Sequence, residues 1–210
     1  MTVDALQLFN LSNAQVERQP FPHFRIVGAI EAEAASAFLS WLQEHGPWKT
    51  VEGGFYAIAQ FRVTPERVPP EFGWVVAPST LQYLRGVMAS AFGVAVGARV
   101  DVDAHYLAPG QRIGIHNDYR PGAETHRLVV TLADAWDCDD GGFLVLLRGP
   151  RPEDAELIIP PVGGSVVGFE ISPGSFHAVT PVTRGCRVTL LYSFYGPEQT
   201  GQTLTRGLAE

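Results

Sequence analysis

Between residues 97 and 195 the chain is divided into short β-rich runs, with a turn signal after nearly every one. The runs are 99–107, 113–116, 127–133, 143–148, 156–160, 165–171, 177–182 and 186–195. Between them stand Pro109-Gly110, Pro121-Gly122, Gly141-Gly142, Gly149-Pro150, Gly163-Gly164, Pro173-Gly174 and Gly185. Glycine supplies positive φ and proline a fixed φ, so these positions read as tight turns. Short strands at such spacing predict a sandwich or barrel.

The first hundred residues have a different texture. Ile30, Ala34, Ala37, Phe38, Trp41 and Leu42 recur at three- and four-residue steps and predict a helix over 30–46, stopped by Gly46-Pro47. Leu81, Leu84, Val87, Met88 and Phe92 predict a second over about 79–92, capped by Ser79 or Thr80 and ended by Gly93. Residues 21–27 and 54–64 read as strands. The expected class is α+β, mainly β, with N-terminal helices packed on one sheet. Residues 1–20 are expected to form a flexible arm, 21–198 a single domain with its core at about 98–195, and 199–210 a tail.

Strand alternation assigns faces. Over 99–106, Val100, Val102, Ala104 and Tyr106 share the apolar side, and Asp101, Asp103 and His105 the polar side. Over 187–194, Val188, Leu190, Tyr192 and Phe194 form a face broad enough to receive the helices, while Arg187, Thr189, Leu191 and Ser193 lie opposite.

Composition narrows the function. With 210 residues, 46% of them hydrophobic, the chain can bury one sizeable core. A net charge of −7 disfavours a nucleic-acid partner, whose phosphates need clustered Lys and Arg. No run of eighteen apolar residues suggests a membrane span. The start Met1-Thr2-Val3-Asp4 has no signal-peptide pattern, and Cys138 and Cys186 form no CxxC; both fit reduced thiols and a cytoplasmic location.

His116-Asn117-Asp118, followed by His177 and then by Arg187 ten residues later, carries the chemistry. His116 and Asp118 are two apart, so on or just past a strand both project to one side. Two histidines and one carboxylate are the ligand set of a facial triad for non-heme Fe(II). An arginine inside a barrel needs an anion, and its planar fork matches a carboxylate.

These stretches, taken together, resemble the catalytic core of the Fe(II)/2-oxoglutarate-dependent dioxygenases, specifically the prolyl-4-hydroxylase-like branch. The resemblance rests on Tyr106 through Gln111 running into His116-Asn117-Asp118, on Gly141-Gly142, and on Gly164 through Phe169. It rests also on His177 through Val182 with Gly185 through Thr189, and on the entry Phe21-Pro22-His23-Phe24. The resemblance implies a double-stranded β-helix, or jelly-roll, with His116, Asp118 and His177 on Fe(II). It implies 2-oxoglutarate as cosubstrate on Arg187, with Tyr106 and Thr189 beside it, O2 as oxidant and ascorbate in support.

Arg127 and Trp136 fall on segments that border the substrate pocket in this branch, although a surface arginine and a packed indole are the plainer readings. His23, His45, His105 and His126 are read as non-ligands, and Arg184, beside Gly185, as an exposed turn residue. The acidic run Asp137, Asp139, Asp140 would favour a cationic substrate if it rimmed the pocket. Asp118 occupies the position that halogenating relatives leave vacant, so hydroxylation is expected. The implied substrate is an amino acid, a peptidyl residue or a natural-product intermediate, selected by the first hundred residues and the loops around 119–126 and 134–142. Two other classes stay open: a cupin-like metalloenzyme that does not use 2-oxoglutarate, and a non-catalytic jelly-roll binding module.

Overall fold

Strand β11 (Arg187–Tyr195) is the axis of the molecule, paired antiparallel with β4 (Val100–Leu107) on one side and β6 (Glu124–Leu132) on the other. The computed structural model describes residues 8–197. Beyond β6 lie β9 (Val166–Glu170) and β1 (His23–Ile26). Beyond β4 lie β3 (Tyr56–Arg62), β5 (Ile113–His116), β10 (Phe176–Val179), β7 (Leu144–Leu147) and β8 (Ala155–Ile159). The hairpin strand β2 (Lys49–Gly53), which the sequence pattern did not signal, pairs with β3. This curled antiparallel sheet with helices on one face is the expected jelly-roll.

The alternation read from sequence sorts the two faces. Val188, Leu190, Tyr192 and Phe194 are all at most 1% exposed and join Val102, Ala104, Leu128 and Val130 in one core. Helices α1 (Ala32–His45) and α2 (Pro78–Phe92) cover it with Phe38, Leu39, Leu42, Leu84 and Met88. Burying each such side chain contributes roughly 1.5–3 kcal/mol, which fixes the helices to the sheet. A second cluster, with Ile58, Leu107, Leu146, Phe169 and Val179, fills the inside of the curl.

Local details differ from the sequence reading. Neither Ser79 nor Thr80 caps α2; Ala77 is the cap residue and Pro78 takes the first turn, where its missing N–H is no loss. Gly93 ends the helix in the left-handed conformation, as expected. The expected arm is corrected from residue 8 onward: Leu8, Phe9 and Leu11 are at most 5% exposed, and single bridges tie Phe9 to Ile30 and Glu17 to His23. Apolar side chains here repay the ordering of a segment that shows no periodicity. Residues 1–7 of that arm and the tail over 199–210 lie outside the described residues.

Candidate metal centre and its cleft

Pairing of β10 with β5 sets His177 directly opposite His116. Asp118 lies two residues past the end of β5, at φ 55, a left-handed conformation that Asp tolerates better than most side chains. The segment is tied down by Asn117, whose Nδ2 donates to the Pro173 carbonyl and whose own carbonyl accepts from Ser175 Oγ. As a result, Asp118 Oδ2 stands 3.3 Å from His116 Nε2 and 3.2 Å from His177 Nε2. One ligand atom from each residue falls within 4.8 Å of the others.

The chemistry of these three atoms fits a cation. Each histidine donates its Nδ1–H to a backbone carbonyl, His116 to Gly114 and His177 to Ser175, both at 2.8 Å. That tautomer leaves a lone pair on each Nε2, the outer-shell arrangement that holds imidazole on a metal. Burial also disfavours a protonated His177. Two lone pairs and a carboxylate oxygen therefore converge, and convergent acceptors repel unless a positive ion joins them. Burial opposes ionisation of Asp118, but hydrogen bonds from His116 and His177 when their Nε2 is protonated, and the charge of Arg127, outweigh it and hold the carboxyl well below its usual range.

The triad stands in a cleft of about 310 Å³ inside the curl, whose lining also includes Gln60, His105, Arg127, Arg187 and Thr189. Arg187 is 6% exposed and forms no ion pair among the described residues; its Nε and the Oγ1 of Thr189 are buried without a partner. Burial pushes the Arg187 guanidinium down to about 10, so it is still a cation at neutral pH. A buried cation beside a buried free hydroxyl is costly unless an anion arrives. Gly142, at φ +71, gives it room: a Cβ there would lie 3.2 Å from Arg187 Cδ.

Several expected roles change. Tyr106 is on the other side of the sheet: β4 alternation turns it toward the helices, where its ring packs 5.5 Å from Trp48 and its hydroxyl meets Cys186. His105 faces the cleft in its place, paired across β4 and β11 with Thr189. Burial, reinforced by Arg127 and Arg187, pushes His105 down to about 3 and keeps it neutral. Arg127 is no surface residue. Its Nε and Nη2 donate to both oxygens of Glu124, at 2.9 and 2.6 Å, and its Nη1 donates to Asp118. With those donors engaged by two carboxylates, Arg127 orients Asp118 while its side chain also lines the cleft.

Trp136 is absent from the cleft lining; its Nε1 donates to the Gly141 carbonyl and its ring packs on Phe143. The acidic run is not a rim either. Arg184, exposed as expected, bridges Asp137, Asp139 and Asp140, and Trp136, Asp140 and Arg184 line a separate depression behind Arg187. Glu124 is the site residue that sequence reasoning missed.

Residues 103–195 match the model of the 2OG-Fe(II) oxygenase superfamily. No curated protein matches the sequence. Among solved structures, a prolyl-4-hydroxylase from Pseudomonas putida is similar at TM-score 0.69 and 17% identity, over 83% of this chain and 92% of that one. A viral collagen prolyl hydroxylase from Paramecium bursaria Chlorella virus-1 is similar at TM-score 0.62 and 16% identity, over 83% and 96%. HygX from Streptomyces hygroscopicus, solved with nickel and 2-oxoglutarate, gives TM-score 0.58 and 15% identity, over 84% and 83%. The superfamily resemblance read from the residues is thus matched over residues 103–195, and the expected double-stranded β-helix is borne out by these likenesses of fold. Among the described residues no helix is long and apolar enough to cross a membrane.

Proposed function

We propose that this protein, whose matched segment is that of a 2-oxoglutarate-dependent oxygenase, hydroxylates an unactivated C–H bond of an amino acid, a peptidyl residue or a natural-product intermediate. His116, Asp118 and His177 would hold Fe(II), and Arg187 with Thr189 would take the distal carboxylate of 2-oxoglutarate. Held there, Fe(II) and 2-oxoglutarate would supply the oxidising chemistry, with O2 as oxidant and succinate and carbon dioxide as coproducts of the hydroxylation.

The chain's own contribution is orientation. His116 and His177 present Nε2 because backbone carbonyls hold their Nδ1–H. Arg127, itself held by Glu124, favours the ionised form of Asp118 and fixes its direction. Arg187, on a buried strand and aimed into the cleft, holds an anion at the closed end by a planar, charge-assisted fork. Leu144, Phe169 and Val179 keep the walls apolar and water out.

The observation that carries this reading is the pairing, in one cleft, of three convergent donors with a buried arginine that has no partner. The test is anaerobic. Fe(II) and then 2-oxoglutarate are added to the purified protein, and the weak visible charge-transfer band of a chelated keto acid is sought, with His177→Ala as control. A band in the wild type and none in the variant is expected. Bound Fe(II) without a band would replace the reading with a cupin-like metalloenzyme, and absence of metal binding would leave a non-catalytic binding module.

A further inference from the structure

Outside the triad the cleft opens into a vestibule of about 500 Å³, and the two cavities share Phe55, His116, Asp118, Arg120 and Arg127. Its two carboxylates and two guanidinium groups balance in number but are not paired one to one. Asp118 and Glu124 are both taken by Arg127. Arg120, exposed at the mouth, has no carboxylate within ion-pair distance among the described residues. The acidic run that the sequence offered as a rim is occupied by Arg184 elsewhere. The vestibule of this acidic chain thus presents one free guanidinium.

Its apolar surface is equally uneven. Five large hydrophobic side chains are exposed among the described residues, and two of them, Phe55 (46%) and Tyr119 (41%), stand at this one mouth. Phe55 stacks over His116, ring centroids 5.0 Å apart and 29° from parallel, so it borders the triad itself. Two exposed aromatic side chains lining one vestibule beside the site give it an apolar wall. Arg187 is committed to the closed end of the cleft, so a second anion-binding group at the open end addresses a different molecule.

We propose that the substrate is a small organic acid whose carboxylate pairs with Arg120 and whose apolar body lies against Phe55 and Tyr119. The substrate role rests on the oxygenase reading above; the binding site itself rests on the vestibule. Such a site selects a free acid over an internal, uncharged peptide segment, because only the acid satisfies the guanidinium.

The test uses defined probes on the metal-loaded, anaerobic protein saturated with 2-oxoglutarate, so that Arg187 is occupied. Binding of 3-phenylpropionate, 3-phenylpropionamide and an end-blocked glycyl-prolyl-glycine peptide is followed by ligand-observed NMR. The acid is expected to bind about tenfold or more tightly than the amide, the effect of one charge-assisted hydrogen bond. Arg120→Gln should bring the acid down to the amide's level, and Phe55→Ala should weaken acid and amide alike, with unchanged thermal melts as the folding control. No binding of the acid, equal binding of acid and amide, an unaffected Arg120→Gln variant, or preference for the peptide would each overturn the proposal. A protein that shows the charge-transfer band yet ignores the acid fails this proposal alone; one that binds the acid through Arg120 but never shows the band fails the oxygenase reading alone.

Discussion

The two faces of β11 carry opposite kinds of side chain and bear opposite kinds of cost. Toward the helices, Val188, Leu190, Tyr192 and Phe194 are closed off from solvent, and the one polar atom among them, Tyr192 Oη, donates to the Val75 carbonyl. Toward the cleft, Arg187 and Thr189 are equally buried, but their polar atoms go without partners. Period-two alternation lets one strand bear both faces at once. One face stabilises the protein alone; the other holds polar atoms that no other group of the described residues satisfies. Stability and binding should therefore separate residue by residue along nine consecutive positions.

Substitutions can break or sharpen that separation. The largest effect is expected from Leu190→Ala, which should cost about 2–5 kcal/mol of unfolding free energy by leaving a cavity under the helices. The surviving folded protein should still bind 2-oxoglutarate, and loss of that binding in native-state titrations would mean the two faces are coupled. Next, Arg187→Gln should weaken 2-oxoglutarate binding by about 1.5–3 kcal/mol, the worth of a hydrogen bond to a charged group, with little change in denaturant midpoint. Unchanged affinity by calorimetry would remove Arg187 from the binding site.

Thr189→Val sharpens the contrast further. It deletes a buried hydroxyl that lacks a partner, so the ligand-free protein should gain about 1 kcal/mol while 2-oxoglutarate binds less tightly. A melting temperature that falls would show that the hydroxyl is already satisfied.

The smallest effect concerns pH at the solvent end of the cleft-facing row. Burial would raise the Asp101 carboxyl, but hydrogen bonds from Arg99, Tyr195 and Arg62 lower it to about 2. Its folded value lies below its unfolded value, so its contribution is complete near neutrality and fades as pH falls from about 4 toward 2. The group is solvent-screened, so less than about 1 kcal/mol is at stake. The stability gap between wild type and Asp101→Asn, measured in urea, should close over that window, and a gap that persists at low pH would assign it to packing.

Much of this was legible in the sequence, for identifiable reasons. The two faces of β11, with Arg187 and Thr189 on one of them, follow from alternation alone, whereas the triad needed the ordered set of residues and the family resemblance, since His116 and Asp118 by themselves are a common pattern. Tyr106 was misplaced because resemblance and alternation disagreed within β4, and the strand obeys alternation. Glu124 could not be seen, because residues three apart on a regular strand face opposite ways; an irregularity in the β6–β11 register lets Glu124 and Arg127 meet. Leu8, Phe9 and Leu11 pack through single bridges, which leave no periodic trace. The direct opposition of His177 and His116 is a long-range pairing that neither segment announces on its own.

The turn before β10 holds both halves of the triad. Ser175 supplies the carbonyl that orients His177, and its hydroxyl, like the Pro173 carbonyl, is bonded to Asn117 beside Asp118. The three candidate ligands are thus kept in register by the protein's own backbone. A chelator should therefore strip the ion and leave a folded protein that takes it back, unlike small metal domains that unravel when their ion is withdrawn. Reversible loading would be the practical consequence: one preparation could be emptied, refilled with a redox-silent divalent ion and compared with itself.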